Sequence, residues 1–249
     1  MKTDRSALEA RTAARRLGKT LLDFVYPSRC IVCGAWDQPV VCRGCAATIE
    51  RMPTESCSEC PRPRSSGPCP TCSAAKARWG GWSFEKAGAA YVFDGALRRL
   101  VHEMKYRDQT QLADYLGDLA VEGIVDTFPG SIDWIVPMPG DPWRMMRRGG
   151  NPVDSMAARI ALALDLPMLP PGSFQRRGAP AQMGKSPEAR RAAPLCFQWN
   201  PTRAPSIRGA SLLLFDDVFT TGTSVHAAAS SLIEAGAGSV KVWTLAAGG

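Results

Sequence analysis

The chain has 249 residues, 45% of them hydrophobic, and a formal net charge of +7 at pH 7. That length buries one substantial domain plus a small module, and the ordinary apolar content excludes wholesale disorder. No apolar run reaches membrane-spanning length, and the opening residues lack the apolar core and cleavage site of a secretory signal. Asp4 and Glu9 argue against a transit peptide, so a cytoplasmic location without membrane attachment is the expectation.

Basic residues gather in segments 2–19, 98–107 and 144–191. The first reads as a solvated helix face, and the other two as walls of a polyphosphate pocket. Any of them can also touch nucleic acid, although no stacking aromatics interleave with them. Segment 1–27 reads as a terminal amphipathic helix, with Leu17, Leu21, Leu22 and Val25 at helical spacing until Tyr26-Pro27 stops it.

Eight of the nine cysteines lie within residues 28–75, as the pairs Cys30/Cys33, Cys42/Cys45, Cys57/Cys60 and Cys69/Cys72. Each pair is Cys-x-x-Cys, and each set of four has an eight-residue gap between its pairs. Without an export signal, metal thiolates are favoured over disulfides. Two structural zinc sites of four cysteines each follow, forming a double zinc ribbon. From Pro53 to Ser73 there is no Leu, Ile, Val, Met or aromatic residue, so metal binding worth about 10–16 kcal/mol per site has to replace a core there. Each set is locally complete, which favours sequential ligation; interleaved ligation stays open.

Residues 76–86 read as a linker in which Trp79 and Trp82 flank Gly80-Gly81 and dock one module on the next. Residues 87–249 then form the large domain. A strand is expected at 87–93, and a helix capped by Asp94 at 95–106, ending in Lys105. A second helix spans 111–127. A strand at 131–136 ends in Pro137-Met138-Pro139, and Arg144, Arg147 and Arg148 share a helical face beyond it. These arginines read either as a solvated basic face or as a bidentate grip on pyrophosphate. A helix follows at 153–164. Residues 167–181, rich in Pro, Gly and Arg, read as a mobile loop closing over substrate, and a short helix begins at Ser186. His102 reads as a surface or packing residue, His226 as packing or ligand-touching, and Cys196 as small, buried and apolar.

The most informative stretch is Leu212-Leu213-Leu214-Phe215-Asp216-Asp217-Val218-Phe219-Thr220-Thr221-Gly222-Thr223-Ser224. Four apolar residues suit a strand buried on both faces of a parallel sheet. Carboxylates then fall at the strand end, where open α/β sheets bind ligands. The small-residue loop opens into a helix, so it presents hydroxyls, backbone N–H groups and a helix N-terminus to one phosphate. Asp216 and Asp217 would repel that phosphate; they suit sugar hydroxyls or a metal one ribose away. No Gly-Lys-Ser/Thr follows the glycine, which excludes a Walker A loop. A strand of similar composition at 239–246 closes the domain.

This order of residues resembles the PRPP-binding motif of type I phosphoribosyltransferases. From Pro27 onward the chain resembles the ComF family, which includes GntX-like proteins. Four segments carry the likeness: the cysteine array, Val101-His102-Glu103-Met104-Lys105-Tyr106-Arg107, Ile135-Val136-Pro137-Met138-Pro139, and the Asp-Asp-Val-Phe-Thr-Thr-Gly loop. The resemblance implies an α/β fold, a type I phosphoribosyltransferase-like parallel sheet flanked by helices and preceded by the double ribbon. It implies PRPP binding by Asp216, Asp217, Val218, Thr220, Thr221, Gly222, Thr223 and Ser224, with Met138, Lys105, Arg144 and Arg148 toward the pyrophosphate. Mg²⁺ would accompany PRPP, or the ligand would be a ribose 5-phosphate nucleotide. It also implies a bacterial role in competence and use of external DNA, with single-stranded DNA or a competence helicase as partner. The function expected is phosphoribosyl transfer to an unidentified acceptor, or a non-catalytic sensor engaging DNA or a helicase through the ribbons and basic surface. The chain departs from the family at Arg148-Gly149-Gly150-Asn151-Pro152, where Arg-Gly-Phe-Asn-Gln is usual, and at Arg190-Arg191-Ala192-Ala193.

Overall fold

The computed structural model describes residues 29–63, 66–106, 110–177 and 196–248, with positions 106, 110 and 148 described by backbone alone. The terminal helix expected within segment 1–27 and the short helix expected from Ser186 lie outside these residues. Two compact units result, one ending at Thr48 and the other starting at Ile49.

In the first unit a knuckle is held by Ile31 N–H donating to the Val40 carbonyl and Gly34 N–H to that of Cys30. The Arg29 guanidinium lies 3.4 Å from the centre of the Trp36 ring. A single helical turn, α1 (Arg43–Ala46), closes the unit, with the Cys42 side chain accepting from Cys45 N–H at its start.

The second unit begins with the second cysteine set and a helix, α2 (Pro70–Trp79), whose last four residues the sequence reading assigned to the linker. Pro70 at its first position costs no hydrogen bond there, and Gly80, at φ 79°, stops it. Then come β1 (Lys86–Val92), α3 (Gly95–Tyr106), α4 (Thr110–Ala120), α5 (Ile124–Thr127), β2 (Trp134–Pro137), α6 (Pro142–Arg148) and α7 (Pro152–Leu164). The rest is β3 (Phe174–Arg177), β4 (Cys196–Trp199), β5 (Ser211–Phe219), α8 (Thr223–Glu234) and β6 (Ser239–Ala247).

β1, β6, β5 and β2 form, in that order, a four-stranded sheet whose neighbours all pair in parallel. Parallel sheets need cover on both faces, and the central strands comply: Leu212, Leu213, Leu214, Phe215, Val240, Val242 and Leu245 are buried. Trp243 is buried too, and its indole N–H donates to the Ala120 carbonyl at 2.6 Å. The ring fits because position 88, opposite it on β1, is glycine; a methyl group there would lie 2.5 Å from the ring.

Three expectations change. The helix expected over 111–127 is two, because the chain turns through Gly123 at φ 81°, a left-handed conformation that other residues rarely adopt. Part of the stretch expected as an aperiodic loop is paired: Ile135 N–H donates to the Pro167 carbonyl and Leu169 N–H to that of Ile135, and β3 pairs antiparallel with β4. Cys196, expected buried, is exposed on β4.

Candidate functional site

β5 runs further than its apolar core suggested. Its ladder with β6 continues through Asp216 opposite Thr244 to Phe219 opposite Ala247. The two aspartates therefore sit on rigid strand and not in the loop beyond it. Asp217 is buried and takes the Lys105 ammonium from α3 at 2.6 Å. The Asp216 carboxylate accepts the Asp217 N–H at 2.8 Å. Burial, then the neighbouring Asp217 charge, pushes the Asp216 carboxyl up to about 7, against the pull of that N–H and of Lys105.

After Phe219 the chain passes through exposed Thr220 and Thr221 to Gly222, at φ 75°. Gly222 precedes α8 without a side-chain cap of its own, and the Thr223 N–H at the start of that helix donates to the Thr221 hydroxyl at 3.5 Å. Thr221 and Thr223 hydroxyls lie 3.1 Å apart. The loop thus gathers hydroxyls at the N-terminus of α8, where helix amides favour an anion.

Across the sheet edge, β2 delivers Met138. Its N–H donates to the Phe215 carbonyl at 2.7 Å, and its own carbonyl accepts from Asn151 Nδ2 at 3.0 Å. Both polar groups of Met138 are consumed by the protein, so it lines the cavity as a wall. α6 begins at Asp141, whose side chain accepts the Trp143 and Arg144 N–H groups. α7 begins at Asn151, which caps Val153 N–H, with Pro152 at the first helical position. The Gly150-Asn151-Pro152 sequence therefore builds a sound helix start.

Of the expected ligand-binding residues, Lys105, Met138, Arg144, Asp216, Asp217 and Ser224 line one cavity of about 180 Å³. Val218 and Thr220 through Thr223 continue past it along β5 and the loop. The Arg148 side chain is outside the description. Sequence reading missed Asn151, Arg176 and Phe197, which also line the cavity. Asn151 had a signal, since an Asn-Pro pair ahead of an alanine-rich run marks a helix start. Arg176 and Phe197 arrive on the short β3–β4 pair, too brief for periodicity to announce. His226, weighed as a ligand contact, is a packing residue: its Nδ1 accepts Ser83 N–H at 3.1 Å and its ring stacks on Trp79 at 4.2 Å.

The cysteines assemble sequentially. Within each set, Cys30/Cys33/Cys42/Cys45 and Cys57/Cys60/Cys69/Cys72, the four sulfurs lie within 4.8 Å of one another. Sγ separations are 3.8 Å for Cys33–Cys42, 3.7 Å for Cys57–Cys72 and 3.5 Å for Cys60–Cys69. A tetrahedral site with Zn–S near 2.3 Å requires about 3.8 Å between sulfurs, whereas a disulfide requires about 2.05 Å. Both sets fit a structural zinc ion. Backbone N–H groups of Cys42 and Cys45 point at the Cys30 and Cys42 sulfurs at 3.4 and 3.5 Å, as thiolate charge demands.

A parallel sheet flanked by helices carries paired acids and a hydroxyl-bearing turn at one strand end, and two four-cysteine sites accompany it. The particular likeness is to competence protein ComFC. The Bacillus subtilis protein is 26% identical over 208 residues, covering 82% of this chain and 83% of its own. The Streptococcus pneumoniae protein is 24% identical over 214 residues, covering 84% and 88%. This chain is a homologue of those proteins. No family model matches it. Among solved structures, the glutamine PRPP amidotransferase of B. subtilis complexed with ADP and GMP aligns with 53% of this chain and 26% of its own, at 17% identity and TM-score 0.36. Adenine phosphoribosyltransferase from Leishmania donovani aligns with 72% and 80%, at 14% identity and TM-score 0.30. No helix among the described residues is long and apolar enough to cross a membrane.

Proposed function

We propose that the cavity at the end of β5 binds PRPP, and that the chain transfers its phosphoribosyl group to an unidentified acceptor in a process connected with competence or DNA utilisation. One observation carries this: Asp216, Asp217, Lys105 and the Thr220–Ser224 loop converge at one strand end. The loop's hydroxyls and helix amides hold the 5-phosphate. Asp216 and Asp217 accept the ribose hydroxyls, one ribose length away. Lys105, Arg144 and the wall at Met138 face the pyrophosphate, the group toward which the resemblance also assigns Arg148. The acid pair is also what a divalent cation needs, and Mg²⁺ bound with PRPP neutralises charge growing on the departing pyrophosphate. Support for the biological setting comes from the names of the two ComFC relatives.

The second reading is a sensor that binds the ligand without transfer and engages single-stranded DNA or a helicase. Met138 favours it, since a backbone amide at that position already serves Phe215 and is not free for pyrophosphate. Pyrophosphate release from PRPP, assayed with nucleobases, amines and ammonia as acceptors, separates the two. Release with any acceptor establishes transfer; tight binding without release across the panel leaves the sensor.

A further inference from the structure

We propose that the second cysteine set positions the phosphate loop, through Arg62 and Trp82, so that metal in that set and ligand in the loop bind cooperatively. The ligand half rests on the reading of the loop given above; the positioning half does not.

Arg62 follows Cys60 by two residues and is fixed inside the knuckle. Its N–H donates to the Cys60 carbonyl, and its carbonyl accepts Cys57 N–H at 2.8 Å. Its guanidinium crosses to the loop, where Nη2 donates to the Thr220 carbonyl at 2.8 Å. The Arg62 Nε is buried with no partner among the described residues, so the side chain is held for what its far end reaches.

Trp82 makes the second connection. Its indole N–H points at the Cys72 sulfur at 3.4 Å. The same ring lies edge-on to Phe219 and flat against Phe84, and it occupies the space above Gly222: a methyl group there would lie 2.6 Å from Trp82 Cη2. One aromatic ring therefore touches a metal ligand on one side and the turn of the loop on the other. A third connection runs down α2, which carries Cys72 and ends at Trp79, stacked on His226 in the first turn of α8.

The physical consequence follows from composition. Pro53 to Ser73 has no Leu, Ile, Val, Met or aromatic side chain with which to build a core, so its order comes chiefly from metal. Without metal, Arg62 and Trp82 lose their footing, the Thr220 carbonyl loses its donor and Gly222 its cover. Binding linkage is reciprocal, so a ligand that needs the ordered loop must retain the metal by the same factor that the metal strengthens the ligand.

The test uses full-length, zinc-loaded protein beside Arg62→Met and Trp82→Phe, which keep all eight cysteines. Amide hydrogen exchange at residues 219–226 is expected to accelerate in both variants relative to exchange in the β5–β6 core. Unchanged exchange there in both variants overturns the positioning role, whatever the ligand. With PRPP and Mg²⁺ added, extraction of one of the two zinc equivalents by a chelator is expected to slow by about 5- to 100-fold. The variants should lose most of that protection. PRPP that binds yet protects neither zinc overturns the cooperativity. Should PRPP not bind at all while exchange responds as expected, the ligand assignment fails and the positioning role stands.

Discussion

Asp216 is the residue whose charge state decides most at the site. Its carboxyl is pushed up to about 7, while an unfolded aspartate titrates near 3.9. Between those values the unfolded chain loses a proton that the folded chain keeps, so this group lowers stability progressively as pH rises from about 4 to about 7. Asp216→Asn removes that slope. The variant should gain thermal stability relative to wild type at pH 8 and show little difference below pH 4. PRPP affinity should move oppositely in the wild type, rising with pH through 7, because sugar hydroxyls donate to a carboxylate better than to a carboxylic acid. A melting series and calorimetry across pH 5–8 check both; a flat affinity profile would deny Asp216 its role. Lys105 makes a companion case. Lys105→Met leaves the buried Asp217 carboxylate without its cation, and the cost in stability should be about 1–3 kcal/mol by denaturant titration.

At the level of elements, Gly222 and Asn151 are the joints that aim the site. Gly222→Ala forces a left-handed φ of 75° on a residue with a Cβ and drives that Cβ against Trp82. It should weaken PRPP binding at least tenfold and cost about 1–3 kcal/mol of stability. Asn151→Ala removes the α7 cap and the donor to the Met138 carbonyl; a loss of about 1 kcal/mol is expected from the cap alone. What sequence made legible at this scale followed from strong signals. The apolar run ending in two acids announced β5 and its position inside the sheet, and the Thr-rich turn announced the loop. Cysteine spacing announced two closed sites. Other features were hidden for physical reasons. Asp216 and Asp217 look like residues beyond a strand because charge breaks the apolar run, yet the ladder to β6 carries them inside it. α2 is rich in small and basic residues, with no apolar stripe, and its Trp79 looked like linker. β3 and β4 span four residues each, too short for a period-two pattern to emerge. The partnership of Arg62 with Thr220 joins positions 158 apart in sequence and left no local trace.

For the whole molecule, order has two sources. The sheet domain has an apolar core; the cysteine sets have thiolates and little else. Metal analysis should return two zinc ions per chain. Cys30→Ser should lower that to one while leaving the melting of the sheet domain in place, since Cys30 belongs to the first unit. If the sensor reading holds, single-stranded DNA should bind with an affinity that falls steeply as salt rises, because phosphate contacts release counterions; binding indifferent to salt would argue against a basic-surface contact. The account as a whole depends on a ribose phosphate seated at the end of β5. Isothermal calorimetry of zinc-loaded protein with PRPP and Mg²⁺ measures this most directly. Saturable one-to-one binding is predicted, weakened at least tenfold when Asp216 and Asp217 are both changed to Asn. No detectable binding, or an affinity unmoved by the double change, would contradict it.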